Sequence, residues 1–306
     1  MSEKKYTPMS SSTEPLTPNP GQPLTWSCGT GKKGEKLVVK RYWLINLIAG
    51  LLHLVNAGLM VLFYFLNDRH DQLYDIKSYY ATWNRMPANN TGLSEDSWDV
   101  STSDYIIIEG LSLNWLIFSF HLLSFIFQIG VLMPCFNYQK MVDNEGRNPF
   151  RFIEYSLSAS IMLICIALLC GVRNFIVMLS IVGFTMLCQY LGLIAEYMPK
   201  GGNRNGVHAL AWVSIILAYG IIILYYVTAI IENDVQPPDF VHIIVGTQAF
   251  LFLSFGVVQT SQLCCMKAAC IGAIGRQAEI SYCVLSLVAK TLLGWLIYAN
   301  VIVSQD

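Results

Sequence analysis

The chain has 306 residues, 54% of them hydrophobic and only 13% charged, with a mean hydropathy of +0.49 and a formal net charge of −1. That balance excludes a soluble domain, and the near-neutral charge gives no basis for a nucleic-acid partner or an acidic substrate. The composition is that of a membrane protein.

The first forty residues are polar and rich in Pro, Ser, Thr, Gly and Lys. They contain no apolar h-region, so they do not read as a signal peptide. Residues 1–41 are expected to form a disordered basic tail. Seven apolar runs follow, each near the roughly 20 residues that a bilayer core requires: Tyr42–Leu66, Gly110–Met133, Phe152–Val172, Phe175–Tyr197, His208–Ile231, Phe240–Cys264 and Ile280–Val303. None alternates with the period of two of an outer-membrane barrel strand. The expectation is an all-α, seven-helix membrane domain over residues 42–303, with one long loop at 67–109.

Basic residues set the orientation. With the amino end in the cytoplasm, the inner segments (the tail to Arg41, Pro134–Arg151, Met198–Val207 and Cys265–Glu279) hold 14 of the 19 Lys and Arg. The outer segments hold Arg69, Lys77, Arg85 and Arg173. Seven spans then put the carboxyl end outside, in what is expected to be the plasma membrane. The long loop becomes extracellular, which agrees with its many acidic residues and with the glycosylation sequon at Asn89-Asn90-Thr91. The nine cysteines avoid the two longer outer loops, so no extracellular disulfide framework is expected. Zinc-ligand spacings and phosphate-binding glycine loops are lacking from the sequence, as are paired apolar segments broken by Gly or Pro.

Ionisable residues inside the apolar runs are His53, His121, Glu154 and Lys290, with Glu196 near a helix end. Polar neighbours fall on the same faces: Asn46, His53 and Asn56; Asn114, His121, Ser124 and Gln128; Glu154 and Ser158; Ser286 and Lys290. Taken singly, a His or Asn in a membrane helix is more often a helix–helix hydrogen bond, and Glu154 also suits a simple pairing with Arg151. Lys290 is different. It lies about ten residues, roughly 15 Å, past Ile280, and a charged amine at mid-membrane costs at least about 2.5 kcal/mol. Its amine leans toward the inner side, as a helical side chain points toward its own N-terminus. Glu154, early in the third run, is biased the same way, which makes an ion pair between them plausible. Desolvation leaves such an amine neutral and nucleophilic, able to condense with an aldehyde to a Schiff base. A protonated iminium would then need a carboxylate counterion.

The stretches "RFIEYSLSASIMLICIALLCG" (Arg151–Gly171) and "SLVAKTLLGWL" (Ser286–Leu296) resemble those of the heliorhodopsins, retinal-binding seven-helix proteins of inverted topology. The resemblance runs from about Arg41 to Val303. It implies all-trans retinal on Lys290 as a protonated Schiff base, Glu154 as its counterion, Ser286 beside it, and Ser158 and Tyr155 along the third helix. It also implies His53 and His121 in an inner proton-accepting cavity, a homodimer, and a short sheet in the long loop to which "DYIIIEG" (Asp104–Gly110) contributes a strand. Trp212, Phe250 and Phe255 are candidate cavity walls, equally consistent with ordinary packing. The position about eleven residues past Glu154 is Cys165, and the residue four before Lys290 is Ser286. Neither is the carboxylate that a proton pump uses.

Three readings stand at this level. The first is a light sensor, non-enzymatic, acting on a cytoplasmic or membrane signalling partner. The second is a light-gated proton or cation channel with Glu196 at an inner mouth, where Gln189, Gly192 and Glu196 share a face; the plain alternative for Glu196 is an interfacial residue paired with water or Arg204. The third is a non-photochemical seven-helix protein in which Lys290 is structural.

Overall fold

The computed structural model describes residues 41–66, 73–87, 97–199, 202–265 and 271–302. The amino-terminal tail up to residue 40 and the sequon asparagine Asn89 lie outside them. Among the described residues, seven helices are long and apolar enough to cross a membrane: α1 (Arg41–Leu66), α2 (Leu113–Gly130), α3 (Pro149–Leu169), α4 (Phe175–Tyr197), α5 (Arg204–Glu232), α6 (Asp239–Cys265) and α7 (Ile271–Ile297), the last continued by a π-helical turn Tyr298–Ile302. Between α1 and α2 stand β1 (Leu73–Met86) and β2 (Ser97–Ser112), paired antiparallel.

The polarity of the bundle is inverted relative to a soluble protein. On α1 the buried stripe is Tyr42, Asn46, Ala49, Gly50, His53, Asn56, Ala57 and Met60, recurring at helical spacing, while Leu44, Ile48, Leu51 and Val55 face outward. Likewise α2 buries Asn114, His121, Ser124 and Gln128. In lipid this arrangement satisfies polar groups internally and leaves apolar ones to the hydrocarbon. Helix α3 is central: 72% of its apolar window is buried, against 22–44% for the other six helices. The helices pack in chain order from α1 to α5 through α3, and α6 and α7 close the ring back to α1.

Local chemistry sets the helix boundaries. Asn148 caps α3 by accepting from the Phe150 N–H, with Pro149 at the first helical position, and Asn174 caps α4 by accepting from Ile176 and Val177. Gly171, at φ +86°, supplies the left-handed residue just past the end of α3. Ser112 caps α2 by accepting from the Trp115 N–H. This last cap corrects one expectation. The second helix starts at Leu113 and not Gly110, because pairing of β2 with β1 continues to Leu73↔Ser112.

A larger correction concerns α7, which begins at Ile271, nine residues before the expected Ile280, so Lys290 lies nineteen residues beyond its start. The extra turns pack on the α2–α3 connection, which contains a short helical turn at Tyr138–Lys140 and a π-helical turn Met141–Glu145 ended by Gly146 at φ +66°. At Gly275 a Cβ would stand 2.6 Å from the Gly146 Cα and 2.8 Å from the Val142 carbonyl oxygen. Both are backbone atoms, which cannot rotate away. Gly275→Val is therefore expected to lower stability by about 1–3 kcal/mol, the cost of overpacking, seen as a lower thermal midpoint in detergent.

The hairpin is tied to the opposite end of the bundle. The Lys77 N–H donates to the Arg173 carbonyl at 2.8 Å, the Arg173 guanidinium lies 4.2 Å from the Tyr74 ring centre, and Ile76 is fully buried. Its outer half is open, with Trp83 and Trp98 65% and 63% exposed. Asp104–Gly110 lies within β2, as a strand was expected there. We refer to this as the hairpin end, and to the end carrying the α2–α3 connection as the connection end.

Candidate functional site

Lys290 and Glu154 meet inside the bundle. The Lys290 Nζ donates to Glu154 Oε1 at 2.9 Å and to Ser286 Oγ at 2.8 Å, and Glu154 Oε1 also accepts from Ser124 Oγ at 2.6 Å. Both charged residues are buried, Lys290 at 2% exposure and Glu154 at 4%. Helix geometry explains the meeting. α3 and α7 both run from the connection end, Glu154 is in the second turn of α3, and the long lysine reaches back along α7 past Ser286, one turn earlier. Around Lys290, α7 is held from two further helices. Gln248 of α6 donates to the Ala289 carbonyl at 3.1 Å, and Asn56 of α1 accepts from Trp295 Nε1 at 2.9 Å.

A cavity opens from Lys290, lined by residues of α3 to α7. Tyr155, Ser158, Ser286 and Lys290 line it, with Met162, Ile215, Phe252, Phe255 and Trp212 among its walls. Phe250, the third aromatic candidate, is 70% exposed and absent from the lining, since its position on α6 turns it outward. Gly256 makes room for the Trp212 ring, because a Cβ there would approach the indole to 2.4 Å. Ser158 is fully buried and its Oγ has no hydrogen-bond partner.

His53 and His121 also meet, Nδ1 to Nδ1 at 2.9 Å, with both Nε2 atoms buried and unpartnered. They were expected to line an inner polar cavity. The polar cavity of about 290 Å³ toward the connection end is instead lined by Asn46, Gln128, Asn148, Glu154, Glu279 and others, and neither histidine is in its lining. The pair sits beside Gly294, one turn past Lys290, where a Cβ would approach His121 Nε2 to 3.3 Å.

Glu196 departs from its expected surroundings. It is 3% exposed, within the bundle and not at an open mouth. Its partner is Arg151, Nη2 to Oε1 at 2.7 Å, whereas Arg204 bonds the Leu263 carbonyl. The reason is that Arg151, two residues into α3, turns inward and serves two carboxylates. Its Nη1 lies 2.8 Å from Glu279 Oε2, and its guanidinium stacks 3.8 Å from the Tyr282 ring centre. Glu279 Oε1 also accepts from Asn148 Nδ2 at 2.6 Å and Tyr138 Oη at 3.0 Å. Burial, then the neighbouring Glu279, raises the Tyr138 phenol well above its ordinary range, so it stays a donor.

Sequence reasoning missed Glu279 and the inward role of Arg151. A signal existed. Glu279, Ser286 and Lys290 are spaced seven and four residues apart and share one helical stripe. The apolar run itself begins only at Ile280, which leaves Glu279 just outside it.

Residues 41–302 match the family model described as Heliorhodopsin. The chain belongs to the heliorhodopsin family. Among solved structures, the heliorhodopsin bundle is similar to thermophilic rhodopsin from Rubrobacter xylanophilus (TM-score 0.56, 13% identity, 85% of this chain and 95% of that one). It is also similar to a cyanorhodopsin from the cyanobacterium Tolypothrix sp. (TM-score 0.53, 12% identity, 84% and 93%). A third similar structure is the transmembrane domain of the rhodopsin phosphodiesterase of Salpingoeca rosetta (TM-score 0.52, 12% identity, 83% and 84%). At such identities the likeness is one of fold. No individually curated protein sequence matches the chain. Family and fold together make this heliorhodopsin an integral membrane protein and a retinal photoreceptor-type rhodopsin.

The residues present fit a retinal. The walls of the cavity are largely apolar and aromatic, and a primary amine, Lys290, borders it. The orphaned Ser158 Oγ is a feature that a bound group would use.

Proposed function

We propose that this heliorhodopsin is a light sensor in which Lys290 holds all-trans retinal as a protonated Schiff base and Glu154 is the counterion. The observation that carries the reading is the buried Lys290–Glu154 pair at 2.9 Å, with Lys290 bordering a largely apolar cavity. When bound, retinal supplies visible absorption and a light-driven isomerisation. The protein's own part is electrostatic. Glu154 fixes a negative charge beside the Lys290 nitrogen, Ser124 orients that carboxylate, and Ser286 offers the nitrogen a second oxygen. Tyr155, its hydroxyl bonded to the Tyr282 carbonyl and its ring 5.1 Å from Nζ, walls the α3 side together with Ser158.

His53 and His121 are the proposed proton-accepting pair. In a neutral Nδ1–H···Nδ1 contact the donating ring has a bare Nε2 and the accepting ring carries an Nε2–H. One buried Nε2 is therefore left with a lone pair, and it is the atom that takes a proton. The described residues that are buried carboxylates, Glu154, Glu196 and Glu279, all lie toward the connection end. A proton has no carboxylate route from Lys290 to the hairpin end through them, which supports sensing over pumping. With the amino terminus in the cytoplasm, as the basic residues argue, conformational output reaches a partner at the connection end of a plasma-membrane protein. In this reading the site is non-enzymatic, its work being light absorption and proton movement.

The test is chemical. Purified protein given all-trans retinal is expected to form a visible band, and borohydride reduction should leave the label on the peptide that contains Lys290. No band in folded protein, or a label elsewhere, rejects the reading. Illuminated proteoliposomes should show no net pH change and voltage clamp no photocurrent. A current that disappears in Glu196→Gln would favour the channel.

A homodimer is proposed through the hairpin. Trp83 and Val100 are cross-strand partners, as are Arg85 and Trp98, and together they place an apolar surface beyond the bundle. The double variant Trp83→Ser, Trp98→Ser should shift the detergent-solubilised protein from dimer to monomer in light-scattering chromatography while leaving the visible band in place.

A further inference from the structure

At the connection end an open groove of about 850 Å³ runs between the first turn of α1 and the early turns of α7, lined by Arg41, Tyr42, Ala273, Arg276, Gln277 and Ile280. Its two charged residues are both arginines. We propose that this groove binds the headgroup of a multivalent anionic lipid, a phosphoinositide in chemical class.

Depth is the first argument. α1 has 26 residues and spans about 39 Å, more than the roughly 30 Å of bilayer hydrocarbon. Arg41, its first residue, therefore lies at headgroup level, as do the turns of α7 beside it. Charge is the second. Arg41 and Arg276 are exposed at the rim, and Gln277 adds an exposed amide. Arg276 Nη1 also bonds Asp143 Oδ1 at 3.0 Å, and Tyr42 Oη donates to Asp143 Oδ2 at 3.1 Å. That carboxylate holds the guanidinium at the groove and partly offsets its charge. The sequence entering Arg41 carries Lys32, Lys33, Lys36 and Lys40 against the single acidic Glu35, a juxtamembrane basic cluster of the kind that concentrates anionic lipid. The floor is the third argument, and it selects a lipid over free phosphate. Ala273, Ile280 and Tyr42 give it an apolar surface, suited to the first carbons of an acyl chain beneath a charged rim.

The function of such a site is coupling. The same turns of α7 carry Glu279 and lead to Lys290, so a lipid clamped between α1 and α7 would favour one position of the helix that bears the chromophore.

The test uses full-length protein in phosphatidylcholine nanodiscs containing about 5 mol% phosphatidylinositol bisphosphate, with retained lipid counted by native mass spectrometry. Wild type is expected to keep the phosphoinositide, and Arg41→Gln with Arg276→Gln to lose it by about tenfold or more. Lys32→Gln, Lys33→Gln and Lys36→Gln together should weaken retention less. Equal retention in the arginine variant overturns the proposal. So does loss confined to the lysine variant, displacement by phosphatidylserine at matched total charge, or equal competition by soluble inositol trisphosphate. If the double variant fails to fold, Arg41→Gln alone, at an exposed helix end, carries the same comparison. The readout needs no retinal, so it stands apart from the fate of the chromophore assignment.

Discussion

Lys290→Ala is expected to remove the visible band completely and to lower stability by about 3–5 kcal/mol; adding Glu154→Gln should restore most of the stability and none of the colour. The first loss follows from chemistry, because alanine has no amine to join to an aldehyde. The second follows from electrostatics. Glu154 is 4% exposed, and Lys290 is the cation that balances it, while Ser124 supplies only a neutral hydrogen bond. A carboxylate left alone at that depth is the costly case, whereas a neutral amide at the same place keeps the Ser124 contact without the charge. Absorption after addition of retinal measures one effect, and thermal unfolding followed by circular dichroism measures the other. A double variant that stays as unstable as Lys290→Ala would mean that the pair is not what stabilises this part of the bundle. A band that survives in Lys290→Ala would move the chromophore elsewhere.

Arg151→Met is the second change of large effect. One guanidinium serves Glu196 and Glu279, at 2.7 Å and 2.8 Å, and all three residues are buried. Its removal should cost about 3–5 kcal/mol, and the two carboxylates are not affected equally. Glu279 keeps its donors Asn148 and Tyr138, while Glu196 has an Oε2 with no partner. Glu196→Gln in the Arg151→Met background should therefore recover more stability than Glu279→Gln does, measured as the rise in thermal midpoint. Equal recovery would show that Tyr138 and Asn148 contribute little to holding Glu279. The same geometry bears on conduction. Glu196 serves as a mouth only if Arg151 swings away, so the channel reading demands that the double ion pair break in the light.

Much of the site was legible before any coordinates. Lys290 stood out because its cost in lipid is high and its depth can be counted along a helix. Glu154 followed because it lies on the third run and leans the same way. Ser286 followed from one turn of spacing. These inferences rest on local geometry, which a single helix fixes. Glu196 was visible, but its partner was not, and Arg204 was the nearer choice in sequence. Arg151 was read as a boundary residue. Its inward turn depends on Glu279, which is 128 residues away, and no periodicity connects two helices.

The sequence by itself determined the number of spans, the polar stripes that face inward and the lysine that lies deep in the last span, since each depends on hydropathy and helical repeat within one segment. The tertiary structure alone decided that α7 extends nine residues further, that His53 faces His121 and not the polar cavity, and that Arg151 joins Glu196 to Glu279. The physical reason is common to all three. A polar residue near a helix end reads as loop until its partner is known, and in a membrane bundle that partner lies across the interior, on a helix whose position only packing sets.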